Sequence, residues 1–236
     1  MSAQRTRVGR REAYDYLRER IVRLELPPGS AISENEAGAA LGVSRTPVRE
    51  AMMLLAEEGL LEVVPQVGTF VSRVDHRRVQ EAQFLREAVE LASLRSIEGP
   101  LDEEVVAALR ANLEQQAAVA DYLEAFFELD EAFHRGLMTL GGHESSWATV
   151  AAAKTHLDRA RRLGIKQQDS SERPAREHHA IFAALTASDL AAAEDLLRAH
   201  VRVVFEDIEA VHAEHPELFV GNPDARPVRR SVVVWE

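Results

Sequence analysis

The sequence contains no cysteine, which excludes both a disulfide framework and a thiolate-based zinc site. It also lacks any apolar run near the ~20 residues that a membrane-spanning helix needs. Its start, MSAQRTRVGRR, has no apolar core behind its charges, unlike an export signal. A cytoplasmic protein with no membrane partner is the expectation. Internal repeats and low-complexity segments are missing too, and no nucleophile or oxyanion motif of an enzyme is evident. What is present is ordinary for a folded chain, with 46% hydrophobic and 28% charged residues, so disorder over the whole length is excluded. At ~150 residues per domain, 236 residues favour two modest domains over one.

A net charge of −11 argues at first against a nucleic-acid partner, but the charge is unevenly spread. Residues 1–75 carry 10 Arg against 11 acids, a net of −1, whereas residues 76–236 carry a net of −10. Arg5, Arg7, Arg10 and Arg11 come before any acid. Placement of the arginines, not the total, has to decide.

Residues 10–26 read as an amphipathic helix through Ala13, Tyr14, Leu17, Ile21 and Leu24, ended by Pro27-Pro28-Gly29. Ser33 and Glu36 have capping-box spacing for a short second helix, which Gly42 breaks. Ser44 stands where it can cap a third helix burying Val48, Met52 and Leu55. LLEVVPQVGTFVSRV then reads as a hairpin around Pro65 and Gly68. Helix, helix, tight turn, helix and hairpin make a winged helix-turn-helix over 1–75. From Asp75 the composition turns to Ala, Leu and Glu with helical period. Helices are expected near 76–98, 102–119, 121–140, 144–163, 171–187 and 189–213, making an antiparallel all-helical bundle over 76–215. The fold class is therefore mainly α with a small β-hairpin wing. The tail 216–236, closing in SVVVWE, is either an added strand or disordered.

In SRTPVREA, an N-cap at Ser44 puts Arg45 and Arg49 on one face, opposite the buried Val48, Met52 and Leu55. Two arginines and Thr46 on a helix N-terminal turn can enter the major groove, where Arg reads guanine and free N–H groups meet phosphate. Gly68 would let a wing approach the minor groove. The plainer reading is an exposed, salt-bridged helix. The stretch LPPGSAISENEAGAALGVSRTPVREAMMLLAEEGLLEVVPQVGTFV resembles the N-terminal domain of the GntR superfamily of bacterial transcription regulators, over about Tyr14 to Val74. By that resemblance Arg45, Thr46 and Arg49 touch bases or adjacent phosphates, and Gly68 sits in the wing. Glu36-Ala37-Gly38 departs from the usual pattern, and the glycine weakens its helix by roughly 1 kcal/mol relative to alanine.

In the helical part, Asp130 and His134 lie one turn apart, with Phe126, Phe127, Phe133 and Leu137 around them. His178 has Ile181, Phe182 and Leu185 at helical spacing, and His200 has Leu196, Leu197, Val203 and Val204. All four polar residues are expected to face inward, and a buried carboxylate needs a cation, a donor or a proton. Three imidazoles and a carboxylate suit a divalent transition metal. The Asp–His spacing alone is weak, because about 1.5 acid-to-histidine pairs arise by chance at any one offset. The competing reading is histidines bonded to core carbonyls or to each other.

This region also resembles the all-helical effector domain of the FadR-type GntR branch, the FCD domain. Metal-binding members carry Asp-x-x-x-His, a later Glu-His-x-x-Ile and a final Ala-His. Here these are Asp130 and His134, Glu177-His178-His179-Ala180-Ile181, and Ala199-His200. The resemblance leaves His179 outside the ligand set. It matches Arg86 and Glu90 to an effector-side Arg-x-x-x-Glu pattern, for which the plainer reading is an intrahelical salt bridge. It thus implies a metabolite-responsive repressor, not an enzyme. That repressor is a homodimer on a palindromic double-stranded operator, dimerised through the helical domain, with a divalent metal and a small organic acid effector. Zinc is the default metal, with nickel and manganese as alternatives. Two other readings stay open: a metalloenzyme activating water at the Asp/His site, and a metal-free regulator responding to an acyl thioester.

Overall fold

A computed structural model describes residues 2–119, 122–168 and 171–221. The first helix, α1 (Ser2–Val22), presents Ala13, Leu17 and Ile21 at four-residue intervals, all fully buried. Two short helices follow, α2 (Glu34–Leu41) and α3 (Arg45–Glu57). Ser33 caps α2 as its spacing predicts, its hydroxyl accepting from the Glu36 N–H, and Gly42 ends it in the left-handed region at φ 65°. Ser44 occupies the N-cap position of α3 but makes no side-chain cap bond, so the expected capping is geometric only. Val48, Ala51, Met52 and Leu55 of α3 pack with the buried stripe of α1 in one apolar core.

The expected hairpin is present, as β2 (Leu61–Val64) and β3 (Gly68–Val71), with Leu61 opposite Val71 and Val64 opposite Gly68. It gains a strand that the sequence pattern did not announce: β1 (Ala31–Ile32) pairs antiparallel with β3, giving the order β1-β3-β2. Two residues are too few for alternation to register.

Seven helices follow among the described residues: α4 (His76–Arg95), α5 (Glu103–Ala118), α6 (Leu123–Leu140), α7 (Trp147–Ala153), α8 (Thr155–Gln168), α9 (Glu172–Thr186) and α10 (Leu190–Glu214). The single helix expected over 144–163 is instead a 3-10 turn (Glu144–Ser146), α7 and α8, parted at Lys154. The helix end expected at 163, by Gly164 and the polar KQQDSS stretch, falls later than Gly164, at Gln168 within that stretch. Gly164 serves packing: a Cβ there would lie 2.6 Å from the Asp207 Cβ, so α8 and α10 approach closely at this point. The main core of the bundle joins Leu91 and Leu94, Leu109 and Leu113, Phe133 and Leu137, Ile181 and Leu185, and Leu197 and Val201.

By contact, the chain divides into one unit made of Met1–His76 with His212–Glu236 and another made of Arg77–Val211. The start of the tail belongs to the first. After a 3-10 turn (Pro216–Leu218), Phe219 forms a parallel bridge with Val74, closed by Val74 N–H to Leu218 O (2.9 Å) and Val220 N–H to Val74 O (3.0 Å). Phe219 is fully buried against the rings of His76 and His212. The SVVVWE end lies outside the described residues.

Two glycines separate steric need from backbone need. Gly141 has an ordinary φ of −81°, yet a Cβ there would meet the Ser93 carbonyl oxygen at 2.1 Å. At Gly136 the obstacle is only the Leu109 side-chain end, at 2.7 Å. Gly141→Ala is expected to cost about 1–3 kcal/mol in urea unfolding, the usual range for overpacking. Gly136→Ala is expected to cost less, because Leu109 can rotate and alanine gains about 1 kcal/mol of helix propensity.

Candidate nucleic-acid interface and metal centre

At the start of α3, Arg45 and Arg49 are both exposed, with side-chain exposures of 62% and 61%, and Thr46 is exposed beside them. Pro47 and Val48 are buried and seat the helix. Both arginines bind Glu34, the first residue of α2. Arg49 donates through Nε to Oε1 (2.8 Å) and Nη2 to Oε2 (3.0 Å), and Arg45 donates through Nη2 to Oε2 (3.3 Å). The hydrogen bond from Arg49, joined by that from Arg45, holds the Glu34 carboxyl below its usual range despite some burial. Sequence reading missed Glu34, because separations of 11 and 15 residues across a turn match no helical or strand period. Gly68 is exposed and opens β3 directly after the turn, in which Gln66 takes φ 63°.

In the helical unit, α6 supplies Asp130 and His134, α9 His178 and α10 His200, and these residues are 1%, 0%, 0% and 7% exposed. The sequence expectation that all four face inward holds. The His178 and His200 Nε2 atoms are 3.1 Å apart, and those of His200 and His134 are 3.3 Å apart. Asp130 Oδ1 lies 3.6 Å from His178 Nε2 and 3.8 Å from His134 Nε2. One donor atom from each residue thus falls within 4.8 Å of all the others. His179 is exposed and takes no part.

Each ring's other nitrogen is engaged elsewhere. His134 Nδ1 donates to Glu90 Oε2 (2.7 Å), His178 Nδ1 to Gln116 Oε1 (2.7 Å) and His200 Nδ1 to Glu177 Oε2 (2.6 Å). An ionised carboxylate can only accept, and Gln116 already donates its Nε2 to Asn112 Oδ1, so its oxygen accepts as well. The proton on each ring therefore sits on Nδ1, and three bare Nε2 lone pairs converge. Burial lowers the pKa of all three imidazoles, those of His178 and His200 well below the usual value. The rings are accordingly neutral, which is the state that binds metal.

The cation that Asp130 requires is Arg161 on α8, which sequence reading did not identify. Its Nη1 and Nη2 donate to the two Asp130 oxygens at 2.9 and 2.6 Å. Burial would raise the Asp130 carboxyl, but Arg161 outweighs it and holds the pKa well below the ordinary range. A signal existed: Leu157, Ala160, Gly164 and Ile165 put Arg161 on the buried side of α8. Arg86 makes the anticipated intrahelical bridge, Nε to Glu90 Oε1 at 2.7 Å, and Glu90 passes its other oxygen to His134. The bridge does not exhaust the guanidinium: Arg86 is 2% exposed, and its Nη2 has no partner among the described residues. A cavity of about 30 Å³ lies alongside, lined by Arg86, Arg161, Glu177 and His200 with Arg173 and Asp207. Arg173 binds both Asp207 oxygens, at 2.8 and 2.6 Å.

Three imidazole nitrogens and one carboxylate oxygen, with hydrogen-bond acceptors orienting every ring, form a cluster that could hold a metal ion. The architecture has known relatives. Residues 10–71 match the gntR family of bacterial regulatory proteins and residues 81–203 match the FCD domain. The chain belongs to the GntR family, in the branch with an FCD domain. It is 53% identical, over the full length of both chains, to an uncharacterised HTH-type transcriptional regulator in an unstable DNA locus of Streptomyces ambofaciens. To the HTH-type transcriptional repressor RspR of Escherichia coli it is 33% identical, over 88% of this chain and 92% of that one. A GntR regulator from Rhodococcus sp. RHA1 shares the fold with a TM-score of 0.69 at 24% identity, covering 85% of this chain and 98% of that one. The protein is accordingly a DNA-binding transcription regulator with a small-molecule effector domain.

Removing one side of a buried ion pair leaves the other uncompensated, at a cost of about 3–5 kcal/mol. Arg161→Met is expected to lose that much stability in urea unfolding with chelator present. The paired change Arg161→Met/Asp130→Asn is expected to recover most of it. A single variant within 1 kcal/mol of the parent would remove Arg161 from this role.

Proposed function

We propose that this regulator is a homodimeric repressor whose FCD domain holds one divalent metal on Asp130, His134, His178 and His200. The observation that carries the reading is the convergence of three Nε2 lone pairs at 3.1 and 3.3 Å, each ring already protonated at Nδ1. Lone pairs packed so closely repel, and a cation among them turns that repulsion into coordination. Zinc is the default for three nitrogens and one oxygen, with nickel and manganese as the alternatives that elemental analysis distinguishes.

Charge supports a carboxylate effector. Arg86 balances Glu90 and Arg161 balances Asp130, so these two pairs are neutral, and Glu177 beside His200 adds one negative charge before any metal arrives. A divalent ion adds two positive charges in a place where unbalanced charge is costly, and an anion beside it offsets them. The unpartnered Nη2 of Arg86 offers that anion a directed N–H. A 30 Å³ cavity is about the volume share of one water. Its size and charge favour a short acid over an acyl thioester, one that enters by displacing solvent or parting Arg173 from Asp207. The acid must bind the two conformations of the dimer unequally to act at all.

On the DNA side, Arg45, Thr46, Arg49 and the wing glycine Gly68 are assigned to the operator. One recognition helix reads few bases, so a dimer on an inverted repeat follows. The name of the E. coli relative supports repression.

The gently purified protein is expected to contain one metal per chain. Chelation should lower its melting temperature, since a ligand bound only to the folded state stabilises it. A His134→Ala/His200→Ala variant that keeps full metal content would refute the ligand set. A thermal-shift series of sugar acids, hydroxy acids and dicarboxylates is expected to yield a hit that weakens operator binding tenfold or more, which needs only ~1.4 kcal/mol of coupling. Hits that bind equally well to metal-stripped protein or to Arg86→Ala would overturn the effector site.

For the interface, Arg45→Ala or Arg49→Ala is expected to cost ~1–3 kcal/mol of specific operator binding in a gel-shift titration. Unchanged affinity in both variants would withdraw the assignment.

A further inference from the structure

Helix α4 buries one face, which carries Val79, Ala82, Gln83, Arg86 and Glu90. The burial of Glu90 is accounted for, since Arg86 and His134 each bond one of its oxygens. Gln83 has no such account. It is 1% exposed, and neither its amide nitrogen nor its amide oxygen has a partner among the described residues. The side chain borders the surface groove between α4 and α10, yet both amide atoms are shut off from solvent, so a partner has to come from inside. One helical turn further on, the buried Nη2 of Arg86 is likewise unpartnered. Residues three apart are neighbours on a helix surface, so three orphaned polar atoms collect on one turn of α4. Such atoms are rare in folded proteins, because each gives up its hydration and gains nothing in return. Beside this turn lies the cavity that Arg86 lines with Arg161 and His200.

We propose that Gln83 is a specificity-determining residue of the effector site, selecting an acid that carries a hydroxyl group as well as its carboxylate. This assignment rests on the carboxylate reading above and narrows it. The orphaned atoms themselves make the selection. Arg86 Nη2 can only donate, so it takes an oxygen of an anion. The Gln83 amide holds a donor and an acceptor side by side. A second carboxylate, which only accepts, would satisfy the nitrogen and set its charge against the amide oxygen. An ammonium group, which only donates, would satisfy the oxygen but lie against the guanidiniums of Arg86 and Arg161. A hydroxyl donates its proton and accepts at its oxygen, so one small group serves both halves of the amide. Side chains at this spacing start from Cβ atoms ~5–6 Å apart, a separation that a three-carbon hydroxy acid can bridge. A site built to bond a hydroxyl rejects the analogue that lacks it, because the amide is then left as it was, unpaired.

Calorimetric titration of the metal-loaded protein with four three-carbon acids tests the residue: propionate, lactate (both enantiomers), 3-hydroxypropionate and glycerate. Wild type is expected to bind at least one of the hydroxylated acids tenfold or more tightly than propionate. Gln83→Met, similar in length and without polar side-chain atoms beyond a thioether, is expected to bring that ratio below threefold while propionate affinity stays within threefold of wild type. A Gln83 that only fills space would change all four affinities together and leave the ratio alone. A hydroxyl preference that survives Gln83→Met would therefore belong to the metal and overturn the assignment. Equal binding of propionate and every hydroxy acid to wild type would overturn it too. In both cases the metal and carboxylate readings stand. If none of the acids binds wild type at 20 mM, the short-acid reading fails and this assignment fails with it. Should Gln83→Met not fold, Gln83→Asn carries the same comparison, because it keeps the amide and withdraws it by one methylene.

Discussion

A neutral imidazole has one N–H to donate and one lone pair to offer, and in the FCD domain all three buried rings have committed the donor to Nδ1 acceptors. Glu90 comes from α4, Gln116 from α5 and Glu177 from α9, so half the bundle is enlisted to orient rings carried by α6, α9 and α10. This constraint explains polar residues in places where the apolar core would otherwise be continuous. Phe133 stacks on His178 with ring centroids 4.3 Å apart, so the polar cluster is packed as tightly as the hydrophobic layers beside it. Arg161 holds Asp130 from α8, donating to both of its oxygens. Arg86 joins the same network through Glu90, which supplies the carboxylate that lets its guanidinium stay buried.

Local patterns were legible in the sequence wherever a short stretch decided the outcome. Ser33 with Glu36, the glycine at 42 and the run from Ser44 to Ala51 each determine their geometry within a turn or two, and the winged helix followed from them. Inward-facing histidines were legible for the same reason, since three- and four-residue spacing reports a helix face. Partners across the fold were not legible. Arg161 meets Asp130 over 31 residues of chain, and Gln116 meets His178 over 62, with no periodicity linking either pair. Gly164 set the expected helix end a few residues early, because glycine weakens an isolated helix, whereas here it admits Asp207 against the backbone of α8. The break fell instead near Lys154, whose ammonium is held by Asp158 one turn on and by Glu131, 23 residues back, a partner that no local propensity encodes.

The recognition helix is restrained in a way that its own residues do not reveal. Glu34 binds Arg49 through both of its oxygens and Arg45 through one, so the two guanidiniums are pre-aligned rather than free to sample rotamers. Part of the entropy that long side chains lose on recognition is thereby lost at folding. The same carboxylate also stands in competition with DNA phosphates. If the operator assignment proposed for Arg45 and Arg49 holds, bases that present acceptors in the right geometry would take the arginines from Glu34, and a poorly matched sequence would have to overcome it.

Phe219 returns beside Val74 and joins the N-terminal unit, and this changes how the chain is to be divided. The helical unit is topologically an insertion: the chain leaves the DNA-binding body just after His76 and re-enters it at His212. An insertion is tethered at both ends, unlike two beads on a single string. Cutting the chain once, after the wing, leaves a fragment without the segment that bridges Val74 and without the ring that packs beside His76. Residues 1–75 taken alone therefore leave out part of what the first unit packs, the Phe219 segment beside Val74 and His76.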